Sequence, residues 1–251
     1  MSPPETPDPH PAAAPAHVTT HAATFHAPVQ YHIQTPSEQT DTRGLPLVVA
    51  LHGMGMSGQS FLRVLRHLGQ QCVILAPNGP YPFEKRAGST IQIGYGWYIY
   101  RGDQVEFREH LERSEAFLNE LVTRVANELG TDNSRTTLLG FSQGGYLAGF
   151  AALRNPDRYP GLVIASSRLK HEFLTTELAT RRLPRTLFLH SAADQATPLE
   201  RMRDGLEQLV AHGGVAELYE HDAGHRLPPD ALQHMAAWQQ RQELGPREGQ
   251  A

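Results

Sequence analysis

A serine flanked by glycines follows an apolar run in the segment Gly140-Phe141-Ser142-Gln143-Gly144. This G-x-S-x-G pattern is typical of a sharp strand-to-helix turn that projects a serine hydroxyl into a cleft. Glycine is needed two residues before and after the serine because side chains there would collide across the turn. A serine placed this way can attack a carbonyl carbon, provided that a base takes its proton.

The base and its acidic partner are predicted after two later strands. Asp194 follows the apolar run at residues 185–190, and His225 follows Gly224 after residues 215–221. Because the carboxyl ends of parallel strands lie at one edge of a sheet, both side chains are expected near the serine. Asp194 is predicted to accept the Nδ1 proton of His225, to fix its tautomer and to stabilise the imidazolium.

Other residues compete for both roles, since the chain has fourteen histidines. His221 lies four residues before His225, but it falls within the strand pattern and no glycine precedes it. Asp222 is too close to His225 in sequence for the usual geometry. A metal site of the two histidines is disfavoured because the segment between them does not form a helix face. Asp194 has a second interpretation as the N-cap of the helix after Pro198.

The segment His-Gly-Met-Gly at residues 52–55 is predicted to supply part of an oxyanion hole. Acyl transfer needs N–H donors where the negative oxygen forms. One predicted donor is the amide of Gln143, directly after the serine, and the other is the amide of Met54. The flanking glycines would let that backbone turn its N–H inward. The other interpretation is a plain glycine turn.

Short apolar runs alternate with longer amphipathic segments along the chain. Runs that are apolar on both faces indicate buried parallel strands, and helical periodicity indicates flanking helices. The predicted strands cover residues 24–34 (an edge strand), 45–53, 72–77, 136–142, 161–166, 185–190 and 215–222. The predicted helices cover residues 60–69, 108–130, 144–155, 199–214 and 230–242. This alternation predicts an α/β fold with a mostly parallel central sheet, in a single domain over residues 23–243.

Composition excludes several classes of protein. The 251-residue chain has a formal net charge of −4 and no long run of one sign, so no nucleic-acid partner is expected. No apolar stretch approaches the roughly 20 residues of a membrane span, so no stable membrane insertion is expected. The ends, residues 1–22 and 244–251, are predicted to be disordered tails. The missing secretion signal and the single Cys72 predict a cytoplasmic location.

Five segments, in order, carry a resemblance to a known family over about residues 24–241. They read LVVALHGMG, GFSQGG, PNGP followed by Trp97-Tyr98, HSAADQATP and GHRLP. The chain resembles the α/β-hydrolase superfamily and, within it, the phospholipase/carboxylesterase group that includes the acyl-protein thioesterases. The resemblance implies an α/β-hydrolase fold, a Ser142–Asp194–His225 triad and oxyanion donors at Met54 and Gln143.

The resemblance also implies that Trp97 lines the acyl site, although strand packing would equally explain the aromatic residues around it. Ser191 stands where the group usually has glycine, and residues 84–96 have no counterpart that can be aligned. Only about 20 residues separate the fifth and sixth predicted strands, which predicts an open cleft without a large lid domain.

The resulting hypothesis is a serine hydrolase that cleaves carboxylic ester or thioester bonds of a small-molecule or lipid substrate, with no cofactor or metal. Two alternatives remain. One is a peptidase or C–C hydrolase that uses the same triad, and the other is a non-catalytic hydrolase fold that only binds ligands.

Overall fold

The computed structural model describes residues 27–36, 41–66, 68 and 72–244. Its strands are β1 (Tyr31–Gln34), β2 (Pro46–Leu51), β3 (Val73–Pro77), β4 (Tyr81–Ala87), β5 (Thr90–Gly96), β6 (Asp132–Phe141), β7 (Gly161–Ala165), β8 (Arg185–Ser191) and β9 (Ala216–His221). Seven of them form one sheet in the order β1-β3-β2-β6-β7-β8-β9. Only β1 is antiparallel to its neighbour, so the predicted mostly parallel sheet is confirmed.

Helices flank this sheet. They are α1 (Gly58–Val64), α2 (Gln104–Leu129), α3 (Gln143–Arg154), α4 (Thr175–Thr180), α5 (Leu199–Ala211) and α6 (Pro229–Leu244), with a 3-10 turn at His171–Phe173. The long α2 is capped at both ends. The Asp103 carboxylate before it accepts hydrogen bonds from two amides of the first turn, and Gly130 after it has a φ of 64°. Among the helices described, none combines the length and the apolarity that crossing a bilayer requires.

The core lies on both faces of the sheet. Alternate residues of β2 point to opposite sides, so Leu47, Val49 and Leu51 pack with α2 and α3, whereas Val48 and Ala50 pack with α1 and α6. Every residue of β2 is buried, which explains why the strand is apolar on both faces.

The structure differs from the sequence predictions at several element boundaries, and α2 and β6 each begin four residues earlier than predicted. The edge strand predicted over residues 24–34 forms only at Tyr31–Gln34, and residues 24–26 lie outside the described range. The helix predicted at 60–69 begins earlier, because Ser57 and Ser60 form a capping box, and it ends at Val64. The tail predicted at 1–22 and residues 245–251 of the other predicted tail also lie outside the described residues.

The hairpin of β4 and β5 was not predicted from the sequence. The two strands pair from Tyr81–Gly96 to Ala87–Thr90 around a turn in which Gly88 has a φ of 59°. Much of the hairpin is exposed, so it lacks the buried apolar run that identifies the central strands. Between β7 and β8, by contrast, the described chain holds only the 3-10 turn and the six-residue α4, so the absence of a large lid domain is confirmed.

Backbone packs closely against backbone where α3 meets the ends of β2 and β6. A Cβ added at Gly144 would lie 2.2 Å from the carbonyl oxygen of Leu51, and one at Gly140 would lie 2.3 Å from the carbonyl oxygen of Gly144. Both obstacles are backbone atoms that cannot rotate away. The glycines predicted for a sharp turn are therefore required by the space available.

This packing predicts that Gly144→Ala destabilises the protein by about 3 kcal/mol or more, because the strand and helix must separate. Gly88→Ala is the matched control, since its Cβ would meet open space and only the left-handed backbone opposes it, at about 1–2 kcal/mol. Urea unfolding of both variants measures the two costs. Equal losses would contradict the packing described here.

Candidate active site

The Ser142 turn joins β6 to α3 at the carboxyl edge of the sheet. Ser142 adopts a φ of 53° and a ψ of −118°, a conformation that non-glycine residues rarely occupy and that costs on the order of 1–3 kcal/mol. Its amide donates to the carbonyl of Ala165 on β7, and its carbonyl accepts from the amide of Gly145, both at 2.9 Å. The strained turn is thus held by the neighbouring strand and by the helix that follows.

Ser142, His225 and Asp194 form one hydrogen-bonded chain. The Oγ of Ser142 lies 2.9 Å from Nε2 of His225, and Nδ1 of His225 lies 2.8 Å and 3.0 Å from the two carboxylate oxygens of Asp194. Because a carboxylate only accepts, Nδ1 carries the ring proton and Nε2 is free to accept the serine proton. Residues from three separate strand ends therefore meet in the geometry that proton transfer needs.

The Asp194 carboxylate is held in its charged form by its own loop. The amides of Ala196 and Thr197 donate to Oδ1 at 2.8 Å and 2.9 Å. Burial opposes ionisation, but these amides and His225 together keep the pKa of the Asp194 carboxyl below its ordinary value. Nε2 of the buried His190 donates to the carbonyl of Thr197 at 2.9 Å, which fixes the far side of the same loop.

The rival residues occupy other positions. Nδ1 of His221 accepts from the amide of Ala223 at 3.2 Å, and none of the described hydrogen bonds joins His221 to Ser142. Asp222 is exposed, and no described hydrogen bond joins its carboxylate to His225. Within the described residues, no group of three or more histidine, cysteine, aspartate or glutamate side chains has the arrangement of a metal site.

Two backbone amides next to Ser142 remain available to an anion. Gln143 is the first residue of α3, so its N–H has no acceptor within the helix and lies at the positive end of the helix dipole. Met54 lies in a tight turn in which Met56 N–H donates to Gly53 O at 3.1 Å and Gly55 has a φ of 78°. No backbone hydrogen bond found among the described residues uses the Met54 amide.

The hairpin that sequence reasoning missed supports this turn. The amide of Gly55 donates to the carbonyl of Tyr95 at 2.8 Å, and the amide of Tyr95 donates to the carbonyl of Met56 at 3.1 Å. Nζ of Lys85 donates to the carbonyl of Gly55 at 3.0 Å. The only sequence signal was the length of the segment between PNGP and Trp97.

Trp97 does not line the cleft, contrary to what the family resemblance implied. The residue has no exposed surface, its ring lies 5.0 Å from the ring of His52, and its Nε1 donates to the carbonyl of His52 at 2.8 Å. The Trp97 amide donates to Oε1 of Gln143 at 2.9 Å. A side chain enclosed on all sides cannot contact a substrate, so the packing interpretation holds.

A cavity of about 630 Å³ opens beside Ser142, within the usual range for small-molecule sites. Four tyrosines contribute to its wall, together with Met54. The tyrosines are Tyr81, Tyr98, Tyr100 and Tyr146. None of the residues that line the cavity carries a charge. The walls therefore suit an uncharged, apolar group.

The sheet order, the flanking helices and the serine turn define an α/β-hydrolase fold. Residues 33–240 match the family described as Phospholipase/Carboxylesterase, and the chain belongs to this family of carboxylesterases and thioesterases. The segments that carried the resemblance in the sequence all lie within the matched range.

The individual proteins to which the chain is similar share 25% sequence identity or less with it. The chain is 25% identical over 176 residues to acyl-protein thioesterase 1 of Emericella nidulans, and the match covers 61% of this chain and 71% of that protein. Among solved structures, it is similar to esterase PE8, with a TM-score of 0.70, 22% identity and coverage of 86% of this chain and 99% of that one. The Bacillus cereus carboxylesterase gives a TM-score of 0.65 at 14% identity, over 85% of this chain and 94% of that one. At such identities the structural similarity shows the shared fold.

The geometry predicts that a fluorophosphonate probe labels Ser142 once per chain, because His225 can remove the proton of its hydroxyl. Ser142→Ala and His225→Gln should lose the labelling. Ser134→Ala is the control, because Ser134 is an exposed serine bonded to Asp132 with no histidine in its hydrogen bonds. Intact-protein mass spectrometry gives the stoichiometry, and a label that persists in Ser142→Ala would contradict the assignment.

Proposed function

We propose that the protein is a serine hydrolase that cleaves carboxylic ester or thioester bonds through an acyl-enzyme. The observation that carries this proposal is the 2.9 Å separation between Ser142 Oγ and His225 Nε2 at the mouth of an uncharged cavity. Membership of the phospholipase/carboxylesterase family supports the same class of reaction. The proteins to which the chain is similar include an acyl-protein thioesterase and two esterases, which favours thioesters and esters as the bonds to test.

In the first half of the proposed reaction, Ser142 Oγ attacks the carbonyl carbon while its proton moves to His225 Nε2. The carbonyl oxygen becomes an oxyanion, which the amides of Met54 and Gln143 stabilise. The bond to the leaving oxygen or sulfur then breaks, and the proton on His225 passes to that atom. The alcohol or thiol departs and the acyl group remains on Ser142.

The second half returns the enzyme to its starting state. His225 takes a proton from water, whose oxygen attacks the acyl carbon. The second oxyanion collapses, the bond to Ser142 Oγ breaks, and Oγ recovers the proton from His225. Asp194 stays ionised throughout and stabilises the imidazolium at each stage. Each proton transfer thus passes through His225, and the proposal needs no metal or cofactor.

This mechanism predicts turnover of p-nitrophenyl esters in a series from acetyl to palmitoyl, with a loss of about 10³-fold or more in kcat for Ser142→Ala. The chain length at which kcat/KM is greatest measures the usable length of the cavity. The matching S-acyl thioesters, followed with a thiol reagent, separate ester from thioester preference.

Three results would overturn the proposal. Equal rates for wild type and Ser142→Ala would show that another group carries the reaction. Rapid fluorophosphonate labelling without turnover of any ester or thioester, but with cleavage of p-nitroanilides of the same acyl groups, would favour a peptidase. A wild-type protein inert toward all of these reagents would favour a non-catalytic binding protein.

The uncharged cavity predicts discrimination against a charged acyl chain. Ethyl pentanoate and monoethyl glutarate have acyl groups of the same length, but the second ends in a carboxylate that would lose its water in the cavity. We expect kcat/KM to be at least about tenfold lower for the glutarate ester. A pH-stat measures both rates, and equal values would contradict the assignment of this cavity to the acyl group.

A further inference from the structure

His52 is a buried histidine that the proposed reaction does not use, although it adjoins the oxyanion turn. Both ring nitrogens have backbone partners. The amide of Gly79 donates to Nε2 at 3.0 Å, so Nδ1 carries the proton and donates to the carbonyl of Gly53 at 2.8 Å. Burial lowers the pKa of His52 to about 4, which keeps this neutral tautomer across the working range of an esterase.

The carbonyl that His52 binds belongs to the same peptide unit as the Met54 amide. The described chain has no cis peptide bonds, and in a trans peptide the C=O and the N–H point in opposite directions. Fixing Gly53 O toward His52 therefore directs the Met54 N–H away from the core. Gly53 also adjoins the nucleophile, since a Cβ placed there would lie 3.4 Å from the Cβ of Ser142.

A second set of hydrogen bonds joins His52, which precedes the Gly53–Met54 peptide, to Gln143, whose amide is the other proposed donor. The His52 carbonyl accepts from Nε1 of Trp97, the Trp97 amide donates to Oε1 of Gln143, and Nε2 of Gln143 donates to the carbonyl of Tyr98 at 3.0 Å. His52, Trp97 and Gln143 are all buried. Direct hydrogen bonds through Trp97 thus connect the turn that presents the Met54 amide to the helix start that presents the Gln143 amide.

We propose that His52, Trp97 and the side chain of Gln143 are positioning residues that set the direction and separation of the two oxyanion donors. This role rests on the proposed function, since it concerns an oxyanion formed on Ser142. His52 and Trp97 do not line the cavity, and the Gln143 side chain takes part through its hydrogen bonds to Trp97 and Tyr98. They act through the Gly53–Met54 peptide and the first turn of α3, so their loss should affect the transition state more than substrate binding.

Two amide substitutions at His52 separate the bond to Gly53 from the rest of the side chain. The amide nitrogen of asparagine lies close to where Nδ1 of histidine lies, so His52→Asn retains a donor toward Gly53 O. The amide group of glutamine lies close to Nε2, so His52→Gln retains a partner for Gly79 but loses the donor toward Gly53. Both variants remove the ring, which makes each the control for the other.

We expect His52→Gln to lower kcat by about tenfold to 100-fold, below the 10²–10³-fold typical for complete loss of an oxyanion donor, with KM little changed. His52→Asn should keep kcat within about fivefold of wild type. Trp97→Phe, which removes the Nε1 donor together with part of the buried indole, should also lower kcat with little effect on KM.

An inhibitor pair distinguishes positioning from general destabilisation. Ser142 Oγ attacks the carbonyl carbon of a trifluoromethyl ketone, and the ketone oxygen becomes an oxyanion. The ether isostere of the substrate has no carbonyl oxygen and cannot form one. In His52→Gln, ketone affinity should fall by the same factor as kcat while ether affinity stays constant. Thermal unfolding measures the stability that each variant loses. The proposal does not require these losses to follow the same order as the losses in kcat.

The outcomes separate this inference from the proposed function. A wild type that hydrolyses esters while His52→Gln and His52→Asn match each other in kcat would overturn the positioning role alone. The same conclusion follows if ketone and ether affinities fall together. A wild type that hydrolyses no ester or thioester and binds no ketone would overturn the proposed function itself, and the positioning role with it.

Discussion

The site depends on the contact between the first turn of α3 and the ends of β2 and β6, where backbone meets backbone. Gly140 and Gly144 allow the helix to begin against the carbonyl of Leu51, and Ser142 makes the connection in a strained conformation. That conformation points Oγ into the cleft and leaves the Gln143 amide beside it. The approach of the strand and helix thus fixes the serine and one of the two proposed oxyanion donors together.

The other proposed donor, the Met54 amide, needs separate support because it lies on a turn rather than on a helix. The β4–β5 hairpin binds that turn from outside through Tyr95 and Lys85, and His52 binds it from inside. Preorganised donors stabilise a developing charge without reorganising during the reaction, which is the usual source of oxyanion catalysis. Trp97 contributes to this arrangement from the core, although the family resemblance implied that it lines the substrate site.

The sequence was most informative where a single local pattern carries the structural requirement. The strand β2 is apolar on both faces, and the G-x-S-x-G pattern around Ser142 lies within five consecutive residues, so the central sheet and the serine turn could both be predicted. The hairpin could not, because its strands are largely exposed and its contacts with Gly55 and Met56 join residues about 40 positions apart. The position of Trp97 depended likewise on distant partners, His52 and Gln143, that no periodicity reveals.

The central claim is that Ser142 carries the acyl group between the two halves of the reaction. The direct test is to mix the wild-type protein with p-nitrophenyl acetate, quench in acid within the first turnovers, and locate the acetyl group by peptide mass spectrometry. We predict a burst of p-nitrophenol matched by acetylation of the peptide that contains Ser142, and of no other residue to the same extent. A burst accompanied by an acetyl group elsewhere, with Ser142 unmodified, would contradict the account.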